Sequence, residues 1–195
     1  QAGLYHLQNK SWREFLSSVS KGDVAIFKLQ IPAGKNLFEL EDIFLELNLT
    51  YDCINFECLD KRFRFIEGTL NPDTYFYKDS ASLASILKVS QDQFFNLSTS
   101  IWSNRNIDLP LKSLSEAIIL ASIVEKEAGN DEEKAIIAGV FLHRLSIGMR
   151  LQADPTIIYG LMPDFNGDIT KANLRDKNNL YNTYQIQGLP PTPIS

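Results

Sequence analysis

The chain has 195 residues, of which 44% are hydrophobic and 22% charged, the composition of an ordinary globular chain able to bury a sizeable core. Its net charge of −5 argues against a general nucleic-acid binder, which carries a basic face. The longest apolar run, Ala135 to Leu142, is too short to cross a bilayer.

No signal-like segment is present. Both ends read as cut from something longer, so a missing targeting segment carries no weight. Cys53 and Cys58 show no metal-ligand spacing, and no other motif calls for a metal or a cofactor. Two partly buried thiols are expected in preference to a short-loop disulfide.

Gly3 to Leu7 reads as a short extended piece. Ser11 and Glu14 form a capping box for a helix through Val19, closed by Gly22. Val24 to Ile31 is rich in branched and aromatic residues and predicts a strand. After the turn Pro32-Ala33-Gly34, Asn36 caps a helix. Glu39 stands three residues on, and Leu37, Leu40, Ile43, Phe44 and Leu47 follow at helical spacing. Roughly the first 60 residues therefore form a small α/β module.

A turn-rich loop from Glu67 to Asp73 leads into Tyr75-Phe76-Tyr77. That aromatic cluster could line a sugar site, but core packing is the commoner fate. Ser82 to Trp102 is amphipathic scaffold. Ser113 to Gln152 reads as two helices joined at Ala128-Gly129-Asn130. Asn130 and Glu133 start the second helix, and Asp131, Glu132 and Glu133 are assigned to its positive end. His143, within that helix, reads as structural. Asp154 is expected as an N-cap with Pro155 at the first helical position. Thr170 caps a further short helix, and Tyr181-Asn182-Thr183-Tyr184 precedes a proline-rich tail.

The chemistry centres on the acids ending the first of the paired helices, Glu125 and Glu127. At 100° per residue they flank the apolar face about equally, so spacing does not choose between them. Glu127 lies in the last turn, where unsatisfied carbonyls disfavour negative charge, and burial beside Leu120 and Ile123 acts the same way. Both effects raise a carboxyl pKa, as a general acid requires. An ordinary exposed ion pair is poorly supported for Glu127: its neighbours four residues away are Ile123 and Asp131.

The stretch SIVEKEAGNDEEKAIIAGVFLHRLSIGMRLQADPTIIYG resembles the YceG-like family, the endolytic murein transglycosylases. Upstream IEGTLNPDTYFY and downstream YNTYQIQGLPPTPI are similar to two further motifs of that family, in the same order. The resemblance implies an α+β fold. A LysM-like α/β subdomain would occupy 1–61, incomplete at its N-terminus. A mainly helical, lysozyme-like catalytic domain with short strands would occupy 62–195, cut at its C-terminus. Where the family has a glutamate before Gly34 this chain has Ala33.

The family's catalytic glutamate matches Glu127. The implied reaction is cleavage of the MurNAc–GlcNAc β-1,4 bond within peptidoglycan strands, giving 1,6-anhydro-MurNAc ends. One carboxyl can suffice there, because the C6 hydroxyl of the sugar replaces the nucleophile or activated water that other glycosidases need from a second acid. Gln152, Asp154, Thr156, Tyr159, Tyr181, Asn182, Thr183 and Tyr184 are candidate sugar-contacting residues, with Asp154 also explicable as a cap. Glu125, Glu67, Asp73 and Tyr75 are secondary candidates. Two alternatives stay open: a water-using muramidase with Asp154 or Asp73 as the second carboxylate, and a non-catalytic glycan-binding module. The resemblance also implies a periplasmic domain held to the inner membrane by an N-terminal helix outside this chain. It further implies work on glycan strands beside peptidoglycan synthases, with no nucleic-acid partner.

Overall fold

The computed structural model describes residues 3–6, 8 and 10–195. Of the expected extended start, Leu7 lies outside these residues; residues 4–6 are irregular, and Leu4 C=O accepts from Ala25 N–H at 2.7 Å. The elements follow in the order α1 (Trp12–Lys21), β1 (Ile26–Gln30), α2 (Leu37–Leu45), a 3₁₀ turn (Ile54–Phe56), β2 (Thr74–Lys78), α3 (Leu83–Ser103), α4 (Leu114–Glu127), α5 (Asp131–Ser146), α6 (Asp154–Gly160) and α7 (Lys171–Arg175). The architecture is mixed: helices around one two-stranded antiparallel sheet.

The helix starts follow local chemistry. Ser11 with Glu14, and Asn36 with Glu39, make reciprocal capping boxes, satisfying N–H groups that the first turn leaves unpaired. Asn130 accepts from Glu133 N–H, and Thr170 from Asn173 N–H. Gly22 closes α1 in the left-handed region at φ 70°, where a Cβ would be strained.

β1 and β2 pair with Leu29 opposite Tyr75 and Phe27 opposite Tyr77. A two-stranded ribbon alone is marginal in water. Here its inner face is covered by Leu40 and Phe44 of α2 and by Leu83 and Leu87 of α3. Leu29, Phe44, Leu83 and Leu87 are all but inaccessible to solvent, and each such burial stabilises the fold by about 1.5–3 kcal/mol. This core draws on Leu70, Tyr75, Tyr77, Leu83 and Leu87, so it continues past residue 61.

A second core joins Leu120, Ile123 and Val124 of α4 to Phe141 of α5 and to Leu151, Ala153 and Ile194. Phe65, Ile118 and Ile119 form a smaller third cluster.

Two expectations are corrected. Cys53 and Cys58 are joined as a disulfide. The intervening chain bends back through the 3₁₀ turn, which brings the two sulfurs together. Asp154 is not a cap: Ala153 occupies that position and Asp154 is the first helical residue. Thr156 Oγ donates to Ala153 C=O at 2.7 Å and Thr183 Oγ accepts from Ala153 N–H at 2.9 Å, so hydroxyls hold this turn and the carboxylate faces outward.

Candidate active site

The three consecutive charged residues ending α4 go three ways. Glu125 pairs with Lys134 of α5 at 2.7 Å, and Lys134 also holds Asp131 at 2.7 Å. Lys126 reaches Glu39 of α2 at 3.3 Å. Glu127 faces the start of α6. Ala128 leaves the helix in an extended conformation, so Glu127 is the last helical residue.

The Glu127 carboxyl is held above the usual carboxylate range. The first cause is burial: the side chain keeps an opening to solvent, but enough protein surrounds the carboxyl to disfavour its charge. The second is the negative charge of Asp154. The backbone N–H of Asp154, which hydrogen-bonds Glu127, and the more distant Arg144 pull the other way. Among the described residues no cation lies within ion-pair distance of Glu127. A raised carboxyl pKa is the direction that a general acid requires.

Asp154 accepts the Tyr184 hydroxyl at 2.7 Å. Tyr184 is pushed up to about 12 by that bond, by burial, and by the charges of Asp154 and Glu127. Glu127, Asp154 and Tyr184 therefore form one electrostatic unit, built from the end of α4, the start of α6 and a loop 30 residues on. Gln152 stands beside it with an exposed side chain and a left-handed backbone at φ 54°, uncommon without glycine. Its N–H donates to Thr183 C=O at 3.2 Å.

Three of the expected sugar-contacting residues are fully buried instead. Thr156, Asn182 and Thr183 each show 0% exposure. The Thr156 and Thr183 hydroxyls share a 2.9 Å hydrogen bond. Asn182 donates to Asn173 C=O at 3.0 Å and Asp176 C=O at 2.8 Å, and accepts from Tyr184 N–H at 3.0 Å. With their polar atoms engaged inside the protein, these residues form the floor beneath the unit and present no exposed surface of their own.

Tyr159 and Tyr181 are half-buried and pack edge-to-face, centroids 4.8 Å apart. The Tyr181 hydroxyl meets Thr192 Oγ at 2.7 Å. The Tyr159 hydroxyl donates to Glu67 at 2.8 Å. Glu67 is only 4% exposed, and burial raises its carboxyl above the usual range against the hydrogen bonds it accepts.

Asp73 accepts from Thr74 N–H in its own turn, at 2.7 Å. Tyr75 belongs to the first core and donates to Asn71 C=O at 2.8 Å. Among the described residues, no hydrogen bond or ion pair places either beside Glu127. An apolar cleft of about 470 Å³ is lined by Leu37, Glu67, Leu97, Trp102, Ala121 and Glu125, among others, and Glu127 lies outside it. The cleft's own carboxyls are both engaged, Glu67 by the Tyr159 hydroxyl and Glu125 by Lys134.

Arg144 escaped sequence reasoning. Its guanidinium donates to Leu151 C=O and lies 5.9 Å from the Phe141 ring centroid. A cation in the last turn of a helix has an ordinary explanation in the helix dipole, which masked its closeness to Glu127.

The sequence profile of the YceG-like family matches residues 1–195. The chain is 33% identical over 136 residues to the endolytic murein transglycosylase of Streptococcus pneumoniae R6, covering 66% of this chain and 24% of that protein. It is also 33% identical over 131 residues to the endolytic murein transglycosylase of Bacillus subtilis 168, covering 67% and 35%. It thus spans about a quarter to a third of the curated relatives it matches. The crystal structure of a yceG-like protein from Listeria monocytogenes shares the fold, with a TM-score of 0.66 at 24% identity, over 96% of this chain and 69% of that one. With the family profile covering all of its residues, the chain belongs to the YceG-like family.

Proposed function

We propose that this chain carries the acid/base centre of an endolytic lytic transglycosylase acting on peptidoglycan glycan strands. The observation that carries the reading is Glu127: a carboxyl at a helix end, open to solvent, with its pKa raised by burial and by a neighbouring hydrogen-bonded aspartate. The activity named for the pneumococcal and Bacillus relatives supports it.

On this reading Glu127 gives its proton to the glycosidic oxygen as the C1–O bond of MurNAc breaks. The ring oxygen shares the positive charge that develops at C1, and the Asp154 carboxylate supplies a nearby negative field. Glu127, now a carboxylate, takes the proton of the C6 hydroxyl of the same MurNAc. The C6 oxygen closes on C1, and the 1,6-anhydro ring forms without water. The proton count returns to its start. Gln152, Asp154 and Tyr184 are the residues proposed to face the sugar. Tyr159 and Tyr181 form the wall behind them, and Thr156, Asn182 and Thr183 hold that wall in place. The first module, read as LysM-like, would help hold the strand. The reaction would take place outside the cytoplasm, at the periplasmic face of the inner membrane and beside peptidoglycan synthases.

One observation favours a second reading. Asp154 lies close enough to Glu127 to raise its pKa, so it could serve as the base of a water-using muramidase. Mass spectrometry of digested peptidoglycan in H₂¹⁸O separates the two. Anhydro ends without ¹⁸O are expected; reducing ends carrying ¹⁸O would establish the muramidase. Glu127→Gln is expected to abolish product with the fold intact. Strand cleavage at the parental rate in that variant would remove Glu127 from the mechanism, and no product from the parent protein would leave a glycan-binding module.

A further inference from the structure

We propose that Glu67 is a positioning residue that holds α6, through Tyr159, against the proton-donating Glu127. This rests on the acid role given to Glu127 above.

Glu67 is a 4%-exposed carboxylate with no ion-pair partner among the described residues. Such groups are rare, because an apolar side chain of similar size satisfies a buried position at less desolvation cost. What surrounds Glu67 is a set of donors from three separate elements. Leu37 N–H, at the start of α2, lies 3.2 Å from each carboxylate oxygen. Gly68 N–H, in its own loop, donates at 3.2 Å. The Tyr159 hydroxyl, on α6, donates at 2.8 Å. The one nearby cation that acts on it, Lys126, is itself bonded to Glu39 of α2. A single carboxylate thus ties the first module to the short helix of the candidate site.

The tie reaches the acid in one step. Tyr159 and Asp154 share the seven-residue α6. The Asp154 backbone N–H bonds Glu127, and its charge is the second-largest influence on that carboxyl. The Tyr159 ring is held between Phe38 of α2, at 6.2 Å, and Tyr181, at 4.8 Å, so its hydroxyl has one direction to point. Without Glu67 that hydroxyl and the start of α2 lose their common acceptor, and α6 is free to move away from the end of α4. Glu127 is faced there by Asp154, Tyr184 and Arg144. Retreat of α6 carries Asp154 with it and takes its charge and its backbone N–H away from the acid.

The test is a double-mutant cycle of Glu67→Gln and Tyr159→Phe, read by muropeptide-release kinetics, by ¹³C-carboxyl NMR titration of Glu127, and by melting temperature. Each single variant is expected to lower kcat about tenfold or more with little change in KM, the size of loss that a small misplacement far from the chemistry causes. In each, Glu127 is expected to titrate at lower pH than in the parent. The double variant is expected to be no slower than the slower single.

A lower melting temperature with parental kcat and parental Glu127 titration would make Glu67 merely structural and overturn the proposal. So would losses that multiply in the double variant. If Glu67→Gln does not fold, Tyr159→Phe, which keeps the carboxylate, decides alone. If the parent releases no product, the activity reading fails. The NMR titration then decides this proposal separately: a Glu127 midpoint that moves in Tyr159→Phe upholds it, and one that stays overturns it.

Discussion

Replacing Asp154 with asparagine removes one charge from the site and little else. Asparagine keeps an acceptor for the Tyr184 hydroxyl, bonded to Asp154 at 2.7 Å. It also keeps the backbone N–H that bonds Glu127. What leaves is the negative charge that helps raise both neighbours. For Tyr184 the rise is from 10.0 to about 12, with Asp154 its first cause. Most of this is expected to vanish, returning Tyr184 to within about a unit of an ordinary tyrosine. For Glu127 the sign is the same: losing a like charge lowers its pKa, so at a given neutral pH less of it carries a proton. Above the midpoint, each unit of fall cuts the protonated fraction about tenfold. The basic limb of the rate profile therefore moves to lower pH, on top of a loss at every pH from the missing negative field beside C1. The assays are muropeptide release across pH and ¹³Cζ titration of tyrosines, with Tyr184→Phe as the assignment control. Profiles and titrations that overlay the parent's would refute the electrostatic unit.

Glu125→Gln is expected to leave muropeptide release unchanged and to shift the melting temperature by under about 2 °C, because its pair with Lys134 is only half-buried and screened by solvent; a loss of activity matching Glu127→Gln would reverse the assignment of the acid. Reducing the Cys53–Cys58 disulfide opens a loop of sequence separation 5. For so short a loop the chain-entropy cost is about 2 kcal/mol, or a drop of about 4–8 °C in Tm by calorimetry. Gly160→Ala would drive a Cβ into the amide of Asn179, which donates to Ile157 C=O at 3.1 Å and accepts from Tyr181 N–H at 2.9 Å. It is expected to cost about 1–3 kcal/mol in denaturant unfolding and to lower activity.

Much of the scaffold was legible because it is encoded locally. Ser11 with Glu14, Asn36 with Glu39 and Asn130 with Glu133 announce helix starts within four residues, and the helix from Leu83 to Ser103 was visible in its apolar spacing. The end of α4 at Glu127 was visible from the turn that follows it. The exposure of individual polar residues was not. Thr156, Asn182 and Thr183 look like any polar loop residues in sequence, yet their partners lie 27 residues away or in unrelated backbone. Asp154 followed by proline has the form of a helix cap. Only the distant Thr183 hydroxyl, which takes Ala153 N–H, shows why the cap lies one residue earlier. Glu67 is hidden for the same reason: its partners Leu37 and Tyr159 are 30 and 92 residues off.

The floor beneath Glu127 is made of hydroxyls, amides and backbone groups: Thr156 against Thr183, and Asn182 against three carbonyls. None of these titrates in the range where carboxyls and phenols do. A change of pH therefore acts on the proton of the acid, on its charged neighbours and on the Glu67 tie to α6, while the floor beneath them stays chemically silent. Any distortion of the site with pH enters through that one carboxyl and not through the floor.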